Sequence, residues 1–343
     1  MSPWRRAGLR LGAFVLLLLM AGGLGLGLER AWRRTPAAAA PDTILIIAPG
    51  SSSRGIARQL VAAGVLRSPR AFFWGLGLRG DAGRLKAGRY RFARPSSPAA
   101  IAGALTAGRT EPLRLTLREG LWLDESVRAI ARQLALDSLA VARLVREPRR
   151  WPAHDFLAGR PNLEGFLFPD TYAFEYPVQP EAVVETLLAA FARTLRELRA
   201  SAPPGHPQDV LAWTTLASIV ESEARLDDDR PRIARVYLNR LARGMRLEAD
   251  PTVLYALGER RLRVTYSDLR VDSPYNTYRN TGLPPGPICS PGRASLAAPL
   301  AADPRDRSLF FVADGKGGHR FAATYAEHKL NVAALRRLRA SGS

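Results

Sequence analysis

From Leu11 to Leu28 the chain carries no charged and no strongly polar residue. A run of roughly 18 apolar residues is close to the minimum for crossing a bilayer. Arg5, Arg6 and Arg10 precede it, and Glu29, Arg30, Arg33 and Arg34 follow. Its length favours a retained anchor over a cleaved signal peptide. The short N-terminal side (1–10) is then the cytoplasmic tail, which places the body of the chain across the membrane. Residues 29–42 read as a linker, with Thr35–Pro41 rich in Pro and Ala.

Beyond the linker the pattern changes to short alternating elements. Thr43–Ile47 is rich in β-branched and apolar residues and predicts a strand. Ser51–Ser53 then supply capping residues for a helix whose apolar positions Ile56, Leu60 and Val61 recur at helical spacing up to Gly64. A helix over Pro69–Leu76, a strand over Leu85–Phe92, a helix over Ala99–Leu105 and a strand over Leu113–Leu117 complete a small α+β module, 43–118. The next region, 119–206, predicts amphipathic helices over Asp124–Val145 and Ala182–Arg199, closed by a breaker at Pro203–His206.

The last region, 207–343, is also α+β. Asp209 can cap a helix with Val210, Trp213, Leu216, Ala217 and Val220 on one face. Asp227–Asp229 with Pro231 open a second helix, striped by Ile233, Val236, Tyr237 and Leu241 and stopped at Gly244. Asp250-Pro251 opens a third, which Gly258 closes. Leu309–Ala313 and His319–Ala323 flank a glycine-rich turn and predict a hairpin.

Charge and cysteine content add exclusions. The formal charge of +19 over 343 residues invites a nucleic-acid partner. Against it, Lys86, Lys316 and Lys329 are the only lysines, and the arginines are scattered without a basic tail. Nucleic acid is therefore not expected. Cys289 is the single cysteine, so neither an intramolecular disulfide nor a cysteine-based zinc site can form. No nucleophile elbow, His-Glu-x-x-His or phosphate loop is present, and no cofactor or metal is expected.

The candidate chemistry lies at the end of the Asp209-capped helix. Glu221 abuts a strongly apolar run, where burial disfavours a charged carboxyl and suits it to general acid work. Ser218-x-x-Glu221 also matches a capping box, but that needs a helix starting at Ser218, inside an unbroken periodicity. Glu223 falls about 200° away around the helix and shares no face with Glu221. Glu164, Asp250 and Asp272 are the alternatives for a second polar partner. The segment Ser273–Ile288 holds too much Pro, Gly and Asn for a regular element. Its tyrosine faces and amides suit a sugar.

Taken together, several motifs resemble one family. They are Leu163-Glu164-Gly165-Phe166-Leu167-Phe168-Pro169-Asp170-Thr171-Tyr172, Ala217–Glu221, Val236-Tyr237-Leu238-Asn239-Arg240-Leu241, Met245–Val253, Ser273–Tyr278, Gly282–Ile288 and Phe311–Phe321. They resemble the endolytic murein transglycosylases of the MltG/YceG-like type. The resemblance implies a single-pass inner-membrane enzyme carrying a LysM-like module, here 43–118, and a catalytic domain, here 207–343. It implies cleavage of the MurNAc-GlcNAc bond within peptidoglycan strands, leaving 1,6-anhydro-MurNAc ends and ending strand elongation, with peptidoglycan synthases as partners. The family's catalytic glutamate falls on Glu221. Glu164, Asp250, Tyr275, Asn276 and Tyr278 are the candidates for binding the strand. The sugar's own C6 hydroxyl serves as nucleophile, so no second carboxylate is expected. Cys289-Ser290-Pro291-Gly292 departs from the family pattern, in which Asn precedes Pro-Gly. A membrane-anchored wall-binding protein without activity is the competing expectation.

Overall fold

The computed structural model describes residues 3–34, 40–202, 208–261 and 263–341. Most of the expected linker Thr35–Pro41 and the Pro203–His206 breaker lie outside the described residues. The chain divides into two compact units, Met1–Leu113 with Ala173–Val178, and Arg114–Tyr172 with Gln179–Ser343.

The first unit opens with helix α1 (Pro3–Arg33). Its stretch Gly12–Arg33 is, among the described residues, the one helix long and apolar enough to cross a membrane, with a mean hydropathy of 1.9. The helix continues past the expected end at Leu28. One turn further, Trp32 is 3% exposed and belongs to the unit's core. That core is built by strands β1 (Ala40–Ile47) and β2 (Gly88–Arg94) and helices α2 (Ser53–Ala62), α3 (Pro69–Arg79) and α4 (Pro98–Ala107). The strands pair antiparallel, with Leu45 opposite Tyr90 and Ile47 opposite Gly88. Tyr90 of β2 is fully buried together with Leu60, Phe72, Leu76, Ile101 and Leu105 of the helices, each aliphatic or Phe side chain contributing about 1.5–3 kcal/mol. Gly75 of α3 makes room for Trp32: any Cβ there would collide with the indole. Arg79 covers the ring from 5.3 Å.

Two short strands, β3 (Leu113–Thr116) and β4 (Thr171–Phe174), form a second sheet. In the second unit the expected Asp124–Val145 helix is two, α5 (Leu123–Leu134) and α6 (Ser138–Val145). Ala135 adopts a left-handed φ of 54° between them, and Asp137 caps the second by accepting from Leu139 N. α7 (Pro180–Ala200) follows. Apart from Ala173–Val178, which belongs to the first unit, the segment expected to connect two domains clusters with the last one.

α8 (Val210–Glu223) has the expected cap at Asp209 and the expected buried face: Trp213, Leu216, Ala217 and Val220 are at most 3% exposed. α9 (Arg230–Ala242) and α10 (Asp250–Leu257) complete the predicted trio. α11 (Arg293–Ala301), which the sequence pattern does not announce, packs against both α8 and α9. The Trp213 indole N–H donates to Leu296 O at 2.7 Å and fixes that contact. The hairpin β5 (Phe310–Ala313) and β6 (His319–Ala322) pairs Phe311 with Phe321, and α12 (Tyr325–Ser341) packs on both strands.

Candidate active site

α8 carries Glu221 into its last turn, where the side chain is 7% exposed. Its Oε1 lies 3.3 Å from Arg230 Nη2, and its Oε2 accepts the Gly292 amide at 3.0 Å. Arg230 is buried at the start of α9. Its Nε donates to Ser295 Oγ at 2.9 Å, and its Nη1 pairs with Asp227. The three elements α8, α9 and α11 thus meet at one carboxylate. One turn back, Ser218 Oγ donates to Thr215 O and accepts Ile288 N at 3.0 Å. Ser218 therefore caps no helix; it ties the 286–292 loop to α8. Cys289 is buried in the same loop, with Sγ 3.3 Å from Ser218 O, and burial pushes its thiol up.

A second carboxyl stands beside Glu221. Glu119 lies in the turn before α5. That turn is strapped to the loop by two amides, Gly120 N to Ser290 O and Ser290 N to Leu121 O, each at 2.9 Å. Arg260 closes it from outside: its Nη2 donates to Gly120 O at 2.8 Å, and its guanidinium sits 4.1 Å over Trp122. Two glycines permit the approach. Gly120, at φ 73°, faces Glu221 Cγ, and a Cβ on Gly292 would collide with the Glu119 carboxylate. Partial burial, then the charge of Glu221, raises the Glu119 carboxyl above its ordinary range, with Arg230 opposing. The expectation of a lone carboxyl did not include this neighbour. Its only trace in the sequence is a charge beside a glycine, directly after a strand.

The candidate binding residues fall into two groups. Asp250, exposed at the first position of α10, accepts the Tyr278 hydroxyl at 2.6 Å. Asn276 is fully buried; its amide donates to Leu269 O and Val271 O and accepts from Tyr278 N. Those bonds shape the Ser273–Ile288 loop itself. Glu164 is 6% exposed, its Oε2 accepting Leu123 N at 3.0 Å and the Tyr255 hydroxyl at 3.2 Å. Tyr275 lies 5.0 Å from the Tyr255 ring. Gly165 brings Glu164 into place: at φ 84° it packs on Pro287, where a Cβ would clash. The buried thiol of Cys289 lies within the electrostatic reach of both Glu164 and Glu221. Asp272 is 97% exposed, with its carboxylate 3.8 Å from Arg279 Nη2. Among the described residues, no group of His, Cys, Asp and Glu could hold a metal ion.

Two other carboxyls are displaced upward. Desolvation pushes Glu164 to about 7 against its hydrogen bonds, and Glu223, bonded to the Tyr237 hydroxyl at 3.1 Å, also to about 7. The folded protein then holds protons that the unfolded chain releases near 4.5, so stability falls as pH rises from about 4.5 to about 7 and levels off above. The Oε1 of Glu164, buried and without a partner, agrees with a protonated group. Glu164→Gln should remove its share of that slope, up to about 3 kcal/mol. Urea melts of both proteins at pH 5 and pH 8 measure it; an unchanged difference between the two pH values would refute the assignment.

An α+β chain that closes a carboxyl-bearing helix end with a Pro- and Gly-rich loop matches a known class. Residues 45–334 match the YceG-like family, and the chain belongs to it. An endolytic murein transglycosylase of Bacillus subtilis (strain 168) is 36% identical over 295 residues, covering 81% of each chain. The endolytic murein transglycosylase of Streptococcus pneumoniae (strain ATCC BAA-255 / R6) is 33% identical over 281 residues, 73% of this chain and 50% of its own length. A crystal structure of a yceG-like protein from Listeria monocytogenes, 34% identical, covers 85% of this chain and 99% of its own with a TM-score of 0.57.

Proposed function

We propose that this chain is an endolytic lytic transglycosylase. It cleaves the β-1,4 bond from MurNAc to GlcNAc inside nascent peptidoglycan strands and leaves 1,6-anhydro-MurNAc ends, which terminates elongation. The observation that carries this reading is Glu221, held between Arg230 and the Gly292 amide at a buried helix end, in a chain 36% identical to an endolytic murein transglycosylase.

The chemistry needs few groups. Glu221, protonated, gives its proton to the oxygen leaving with GlcNAc. The C6 hydroxyl of MurNAc attacks C1 of its own sugar and returns a proton to Glu221, so the carboxyl ends as it began. No water is consumed and no protein nucleophile is needed, which separates the reaction from the two-carboxylate schemes of glycoside hydrolysis. Asp250, Tyr275 and Tyr278 contact the strand, while Glu164 and Asn276 hold the surface that presents them. α1 anchors the protein in the plasma membrane as a single pass, with the second unit on the wall side, near the synthases that extrude new strands. Residues 43–118 serve as a LysM-like glycan module.

Digestion of purified peptidoglycan by the full-length protein, followed by mass spectrometry, tests the reading. Anhydro-ended fragments from the strand interior are expected. Reducing ends would indicate a hydrolase, and intact strands would leave a wall-binding protein.

A further inference from the structure

The surroundings of Glu221 are short of positive charge. One guanidinium, Arg230, faces three carboxyls: Glu221 and Asp227, with which it pairs, and Glu119, whose charge it also reaches. Asp227 is 84% exposed and keeps its hydration. Glu221 is covered, and Glu119 is drawn against Gly292, the residue whose amide Glu221 holds. The approach is built into the backbone, through the paired amides of Gly120 and Ser290 and the Arg260 clamp. Two neighbouring carboxyls opposed by a single, already shared cation do not both ionise readily; together they retain a proton.

We propose that Glu119 is a second carboxyl of the reaction centre, sharing one proton with Glu221 across Gly292. It is a positioning residue that acts through Glu221, and the inference rests on the reading of Glu221 as the acid. The shared proton belongs to the pair and not to either residue alone, and the charge left on one carboxyl holds it on the pair as pH rises. In the reaction one proton leaves the pair for the departing oxygen, and one returns to it from the C6 hydroxyl.

The test is the pH profile of kcat/KM for anhydro-product formation by the full-length protein in detergent. Activity that requires protonated Glu221 falls as pH rises, along an alkaline limb. Glu119→Gln removes the neighbouring charge, so that limb should move about one unit to lower pH, a roughly tenfold loss at neutral pH with the acidic plateau kept. Glu119→Asp, which keeps the charge, should restore the limb toward its original position. A Glu119→Gln profile superimposed on the parent, or equal losses in both variants at every pH, would overturn the pair. Glu221→Gln run alongside separates the two claims. If it retains product, the reading of Glu221 as acid fails; if it is inactive while the Glu119→Gln limb stays in place, the shared proton alone fails. A second measurement needs no Glu119 variant to fold. The carbon-13 titration of the Glu119 carboxyl should move to lower pH in Glu221→Gln, and an unmoved midpoint would also overturn the proposal.

Discussion

Glu221→Gln should lower the rate of anhydro-product formation by about 100- to 10,000-fold, the usual span for a general acid–base group. The amide fills the same volume. Its oxygen can still accept the Gly292 N–H, which now binds Oε2 at 3.0 Å. It has no proton to give to a leaving oxygen and cannot take one from the C6 hydroxyl. Arg230 loses one anionic partner but keeps Asp227 and Ser295, so the fold should survive with a cost of roughly 1–3 kcal/mol. Initial rates from quantified muropeptides, with thermal melts of both proteins, separate lost chemistry from lost structure. Product formed at the parent rate would move the acid to another residue.

Arg240→Met should cost about 2–3 kcal/mol of stability, the range for leaving buried carbonyls without a charged donor; Glu248, 49% exposed, keeps its hydration. Arg240 is 7% exposed on α9. Its Nε donates to Leu309 O at 2.8 Å. Its Nη1 reaches Arg246 O, Leu247 O and the Glu248 carboxylate, at 3.1, 2.8 and 3.1 Å. One guanidinium thus joins the hairpin to the segment entering α10. That segment includes Glu248 at a left-handed φ of 51°, a conformation that persists only when its surroundings hold it. Methionine matches the volume and supplies no donor, so buried carbonyls are left without partners. Lysine should recover little, because it lacks the planar fork. Urea unfolding of the three proteins measures the effect; a loss below roughly 1 kcal/mol for Arg240→Met would show that water replaces the guanidinium.

What the sequence conveyed and what it withheld divide along physical lines. The helix around Trp213–Val220 was legible from its apolar residues, but not the extent of its burial: Thr214, Thr215 and Ser218 are enclosed as well, so the helix is covered all round. The β5–β6 hairpin was legible from its turn glycines. The break at Ala135 was not, since alanine gives no sign of a left-handed backbone. α11 contains Pro299 and is rich in alanine. α12 leaves Leu330 and Leu338 exposed and buries Leu335, so neither helix shows a clean stripe. At the site, Glu221 was conspicuous because its own helix is apolar. Glu119 was not, because its place is set by backbone amides between Gly120 and Ser290, far apart in the chain. Arg230 read as the start of a helix after three aspartates, and its pairing with Glu221 depends on how α8 and α9 cross.

The burial of Trp32 against Gly75 has a mechanical consequence. The uncharged run Leu11–Leu28 of α1, about 18 residues at 1.5 Å each, is roughly 27 Å long, close to the thickness of the hydrocarbon layer, and Trp32 follows one turn beyond it. With that helix in a bilayer, Trp32 sits at the boundary plane, and the first unit's core begins there. The helix and the unit then turn as one piece, and no swivel separates them. Rotation of the anchor in the plane of the membrane becomes rotation of the unit, and its height is set by the bilayer surface. With the helix so placed, the unit is a gauge of fixed height above the bilayer.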